Sequence, residues 1–132
     1  MLALLADRMA GLRPGADLVR SVQQYLRDRL PQRVTLGQLA EHASMSPHHF
    51  ARQFRAAAGV PPMTFVRRTR VEAARSLLTV PHLTLRAVAE LVGFRDEFEL
   101  SRVYKRTLGS PPRGRERPNG RPRGARTGTA AV

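Results

Sequence analysis

The side chains with most chemical promise in this sequence are arginines. Of 23 basic residues only Lys105 is a lysine. A guanidinium is a planar fork that meets two acceptors at once, such as guanine O6 and N7 or two phosphate oxygens. One run, His48-His49-x-Ala51-Arg52-x-x-Arg55, gathers two imidazoles and two guanidinium groups. Adjacent histidines on a helix cannot both face one metal ion, and no cysteine or carboxylate lies nearby to complete a site. His48 is therefore open to a phosphate or base contact, or to plain solvent. The chain has no cysteine, which excludes disulfides, thiolate metal sites and cysteine nucleophiles. It shows no nucleophile–base constellation and no phosphate-cradling glycine loop, so an enzyme is disfavoured. No cofactor and no metal are expected.

The charge points to an anionic partner. A formal net charge of +13 most often means nucleic acid. The Arg-Ala-Gly bias suggests GC-rich coding, which adds arginine without function. Six arginines also crowd the C-terminal tail against the single acid Glu116, yet the rest of the chain still carries +8. The body is basic by itself. No segment approaches the roughly 20 apolar residues of a membrane span, so no membrane partner is expected. The opening MLALLADRMAGL is too short for a secretory signal and lacks a cleavage site. The cytoplasm is the default location. A chain of 132 residues supports one compact module or two very small ones.

These residues must be positioned, and the chain repeats the device that does so. Residues 35–62 recur as residues 84–112, with Thr35/Thr84, Leu36/Leu85, Ala40/Ala89 and Glu41/Glu90 matching in the first half. Arg52/Arg102, Phe54/Tyr104, Gly59/Gly109 and two proline pairs match in the second. One extra residue in the second copy falls between two predicted helices. Two copies are too few for a solenoid.

The local signals predict an all-α fold of about seven helices with no strand pattern. Asp17 is expected to cap a helix to about residue 30, with Leu18, Val22, Tyr25 or Leu26, and Leu30 on one face. Thr35-x-x-Gln38 is a capping box. Ser44-Met45 form a tight turn, and Ser46 caps the next helix with Pro47 at its first position. Phe50, Phe54 and Ala57 are expected to point inward, and Gly59 to supply a left-handed stop. A long helix is expected from Met63 to about Thr79, ended by Pro81. The expected organisation is a lead at 1–14, helix-turn-helix subdomains at 15–60 and 81–112, a linker helix at 61–80, and a disordered tail at 113–132.

Two short helices with a tight turn, the second basic near its start, describe a helix-turn-helix. Ala40 and Ala89 are small enough for the helix crossing, while Phe50/Phe54 and Leu100/Tyr104 hold the second helices by their apolar sides. Phe54 and Tyr104 therefore read as core rather than as stacking platforms. His48, His49, Ala51, Arg52 and Arg55 face the other way, free to enter a major groove. Three function classes remain: sequence-specific reading of double-stranded DNA, charge-driven binding of nucleic acid including RNA, and a scaffold turned to protein contacts. A small-molecule pocket is not evident.

The motifs also resemble a known family. Gly59-x-Pro61-Pro62-x-x-Phe65-Val66-x-x-x-Arg70-Val71-x-x-Ala74-x-x-Leu77-Leu78 is similar to the linker-helix signature of AraC/XylS-type transcription regulators. Ala89-x-x-x-Gly93-Phe94, followed by Ser101-Arg102-x-Tyr104-Lys105-Arg106-x-x-Gly109-Ser110-Pro111, resembles that family's second-repeat signature. The resemblance covers about residues 17–112. It implies two helix-turn-helix units joined by one helix, with recognition helices in successive major grooves. The implied partners are double-stranded DNA and RNA polymerase, and a monomer already carries two readers.

Carried over by position, His48, Ala51 and Arg52 touch base edges in the first unit, and Glu97, Phe98, Ser101 and Arg102 in the second. Thr35, Ser46, His49, Arg55, Arg67, Arg68, Arg70, Thr84, Lys105 and Arg106 are the expected contacts to the DNA backbone. Three features depart from the family. Asp96, Glu97 and Glu99 make the second recognition helix acidic at its start, which a capping-box-like Asp96/Glu99 pair explains and which makes the first repeat the dominant reader. The chain runs from Pro112 into Arg113-Gly114 where relatives continue with tyrosine and arginine. The 14 leading residues leave no room for a sensory domain, so a stand-alone regulator or the C-terminal part of a longer one is expected.

Overall fold

A computed structural model describes residues 14–112, and there the chain forms six α-helices and no strand. The all-α class is as expected, and the count is close to the seven foreseen. The expectations for the first residues and for the arginine-rich tail lie outside the described residues.

The chain divides into two units, and residues 33–69 belong with the first helix in unit one. Helix α1 (Pro14–Asp28) starts earlier than Asp17. Proline needs no helical N–H in the first turn, so Pro14 opens the helix without loss. Asp17 sits inside that turn instead of capping it, 2.9 Å from Arg20. Leu18, Val22 and Leu26 are buried along one stripe. Tyr25 lies on its flank, with the Arg29 guanidinium 4.1 Å above its ring and the His42 ring 4.7 Å away.

Helix α2 (Leu36–His42) begins at the predicted capping box: the Gln38 amide donates to Thr35 Oγ1, and the Thr35 amide to Gln38 Oε1. The chain then turns at Ser44, whose φ of 59° is left-handed, and the Met45 amide returns to the Ala40 carbonyl. Ser46 accepts from the His49 amide and Pro47 opens helix α3 (Pro47–Ala58), which Gly59 ends at φ 84°. Phe50 and Phe54 are fully buried. Their four-residue row continues to Ala58, which packs on the core, so the expected inward Ala57 is exposed instead. Leu39, Ala40 and Val66 complete this core. Each fully buried Leu, Val or Phe contributes about 1.5–3 kcal/mol of transfer free energy.

Helix α4 (Pro62–Leu77) starts at the second proline of its pair and ends in a turn before Pro81. Its early residue Val66 belongs to the first core, whereas Val71 and Ala74, with Leu78 just past the helix end, belong to the second. Unit two contains residues 30–32 and the chain from Arg70 onward. Thr84 caps helix α5 (Leu85–Val92) through the Ala87 amide, and Gly93 ends it at φ 90°. Asp96 caps helix α6 (Glu97–Leu108), which stops at Gly109, also at φ 90°. Val88, Ala89 and Val92 pack against Leu100, Val103 and Tyr104.

The repeat survives at atomic detail. The Phe94 amide bonds the Ala89 carbonyl as the Met45 amide bonds that of Ala40. Gly93 and Ser44 share the left-handed position. The helix caps then fall at Ser46 and Asp96, so the additional residue of the second copy is Arg95, just before its cap.

Candidate nucleic-acid interface

With Arg95 identified as the insertion, the outward faces of α3 and α6 align residue by residue. His48 corresponds to Phe98, Ala51 to Ser101, Arg52 to Arg102, and Arg55 to Lys105. Positions three and four apart share a helix face, so each set forms one stripe. His48, Arg52 and Arg55 are exposed on α3, with Ala51 half-buried beside them. On α6, Phe98, Arg102 and Lys105 are exposed and Ser101 is half-buried. His49 and Arg106 are also exposed. Thr35, Ser46 and Thr84 are exposed, although each hydroxyl already accepts a capping hydrogen bond.

The two faces differ in charge. Helix α3 has no acidic residue, while the first turn of α6 carries Glu97 and Glu99 after the Asp96 cap. Much of that acidity is used internally. Asp96 accepts from the Glu99 amide at 2.8 Å, and Glu99 accepts from the Arg95 amide at 2.6 Å. The return bond thus reaches the residue before the cap, not the cap itself as in a true capping box. The Glu99 amide holds the Asp96 carboxyl below its ordinary pKa against a smaller desolvation effect, with help from Arg95, whose Nε lies 3.6 Å away. Glu97, half-buried, has no hydrogen bond or ion pair among the described residues. Beside it lies a shallow hollow of about 300 Å³ lined by Arg86, Glu90, Arg95 and Phe98.

Helix α4 divides its arginines between surface and interior. Arg67 and Arg68 are exposed, as a phosphate contact needs. Arg70, grouped with them on the sequence, is only 5% exposed. Its guanidinium donates to the carbonyls of Leu30, Gln32 (2.7 Å) and Val92 (2.6 Å). Burial lowers its pKa from the usual arginine value, and the Glu99 charge acts in the opposite sense. The Val92 carbonyl is one of the orphan acceptors at the C-terminal end of α5, where the helix dipole favours a cation. Arg70 is thus a clamp inside unit two and faces no phosphate. The signal for this was present: Val66, Arg70, Ala74 and Leu78 fall on one four-residue row, and the other three are buried.

Gly93 belongs to the same clamp. Besides its left-handed φ, a Cβ there would collide with Arg70 Nη1 and the Leu30 carbonyl oxygen, and would stand 2.7 Å from Arg70 Cζ. Only glycine meets both conditions.

Comparison with known proteins agrees with this architecture. A family model described as a helix-turn-helix domain matches residues 39–116. The HTH-type transcriptional regulator Rv1931c of Mycobacterium tuberculosis is 40% identical over 77 residues, covering 58% of this chain and 30% of that protein. The arabinose operon regulatory protein of Salmonella typhimurium is 31% identical over 115 residues, covering 83% of this chain and 41% of that protein. The chain thus spans less than half the length of these curated relatives. Among solved structures, the DNA-binding domain of the global transcriptional factor AdpA, in complex with a target DNA, superposes with a TM-score of 0.64. It is 31% identical, and the match covers 75% of this chain and 86% of that one. With its duplicated helix-turn-helix, its linker-helix signature and these matches, the chain belongs to the AraC/XylS family of helix-turn-helix proteins.

Proposed function

We propose that this chain binds double-stranded DNA by sequence and acts as the DNA-binding part of a transcription regulator. The observation that carries this reading is the alignment of the outward faces of α3 and α6, in which Arg52 and Arg102, and Arg55 and Lys105, stand at equivalent positions of two copies of one device. In this reading His48, Ala51 and Arg52 meet base edges in one groove segment, and Glu97, Phe98, Ser101 and Arg102 in another. Thr35, Ser46, His49, Arg55, Arg67, Arg68, Thr84, Lys105 and Arg106 hold the DNA backbone, without Arg70. The acid-free α3 is the dominant reader. Residues 15–60 and 81–112 serve as the two reading subdomains with residues 61–80 between them, and one monomer engages both. The curated relatives' names support regulation of transcription, for which RNA polymerase is the natural partner.

Selection of bound duplexes from a random pool at near-physiological salt tests the proposal. Two short boxes with centres about 10 base pairs apart, one per recognition helix, are the expected result. Arg52→Ala should then cost about 1–3 kcal/mol at the selected site and relax preference at one base pair. A pool with no enriched sequence and a steep salt dependence overturns sequence reading in favour of binding by charge alone.

A further inference from the structure

Phe98 is the most exposed large apolar side chain among the described residues, at 66%. A single exposed apolar residue is ordinary on a protein surface and by itself requires no function. Two facts set Phe98 apart. It begins the stripe that continues through Ser101, Arg102 and Lys105, whose members otherwise bear a hydroxyl or a positive charge. Its counterpart in the first copy is His48, a hydrogen-bonding imidazole on the same position of α3. The frame is kept and one position is changed from polar to apolar.

We infer that Phe98 reads the 5-methyl group of a thymine in the box contacted by α6. The inference rests on the DNA-reading function proposed above. In the major groove the thymine 5-methyl is the projecting apolar group, and it accepts apolar contact from side chains such as phenylalanine. A phenyl ring offers a base edge no conventional hydrogen bond and gains most from the methyl, whereas an imidazole in its place selects a hydrogen-bonding atom. The neighbouring acids do not block this approach entirely, because the Asp96 and Glu99 carboxylates are turned to backbone amides. The uncommitted Glu97 beside it disfavours close phosphates, so the α6 box gains its selectivity from base contact more than from charge. The two boxes of one site are therefore chemically unlike, since the α6 box adds a methyl contact to the polar contacts of Ser101 and Arg102.

The test replaces each thymine of the selected α6 box by deoxyuridine, which retains pairing and every groove hydrogen-bonding atom but lacks the methyl. One position is expected to lose about fourfold in affinity for the wild-type chain, the value of burying one methyl group. Phe98→Ala should bind the thymine duplex about as weakly and show no further loss with deoxyuridine. Leu91, 46% exposed but on α5, provides the control, since Leu91→Ala should retain the fourfold sensitivity. A wild-type chain indifferent to deoxyuridine at every position, while still preferring its selected sequence, overturns the inference and leaves DNA reading intact. The inference also fails if Phe98→Ala keeps both affinity and sensitivity. A chain that selects no sequence overturns the underlying DNA-reading function instead.

Discussion

Arginines that are equal in composition divide by where their helix row leads. Arg67 and Arg70 stand one turn apart on α4, yet one is open to solvent and the other holds three carbonyls inside unit two. Their substitutions should separate cleanly. Arg70→Met leaves buried acceptors without donors and should destabilise the chain by at least about 2 kcal/mol, read by thermal or denaturant unfolding. Its effect on the salt dependence of DNA binding, measured on folded protein, should be nil. Arg67→Ala should leave stability within about 0.5 kcal/mol and lower the slope of log K against log salt by about 0.9. The reverse pattern would mean that Arg70 contacts phosphate after all. Charge type misled the sequence reading here, because a basic residue among basic neighbours looks solvated. The apolar row that runs through Val66, Ala74 and Leu78 was the better guide.

At the scale of elements, the caps made the fold legible. Thr35 with Gln38, Ser46 with Pro47, and the glycines at 59 and 109 each declare a helix end through a local hydrogen bond or a left-handed residue, so no knowledge of distant contacts is needed. The start of α1 was less legible, since Asp17 and Pro14 are both acceptable openers. The Asp96 cap carries a prediction of its own. Its carboxyl titrates lower when folded than when unfolded, so its contribution is present above the ordinary aspartate range and fades as pH falls through the depressed value. Asparagine caps without titrating. The stability difference between wild type and Asp96→Asn should therefore shrink on acidification from neutral to below about pH 4. A difference that stays constant over that range would show that the charge on Asp96 contributes nothing to the cap.

For the molecule as a whole, charge and reading are separable. The tail beyond Pro112 carries six arginines and one acid, a composition suited to attracting phosphate but not to distinguishing bases. Truncation after Pro112 should flatten the salt dependence by about 0.9 for each phosphate the tail neutralises, while the selected sequence stays the same. A changed sequence preference would assign base reading to the tail. Duplication, the all-α class and the candidate faces were all visible in the sequence because they repeat locally. The burial of Arg70 was legible from its row, but its partners at residues 30–32 were not, since 38 to 40 residues separate them from it.

That clamp also governs how this sequence is able to change over time. Ser44 and Gly93 occupy the same bend in the two copies, and of the two it is the bend at 93 that a buried guanidinium crowds. Any side chain arriving at 93 first meets the guanidinium already in its space. Any shorter residue arriving at 70 first abandons the carbonyls. A substitution at either position therefore disturbs the other, and a double-mutant cycle at 70 and 93 is expected to be non-additive. The bend of the first copy, carried into the second with its serine, is expected to break the clamp.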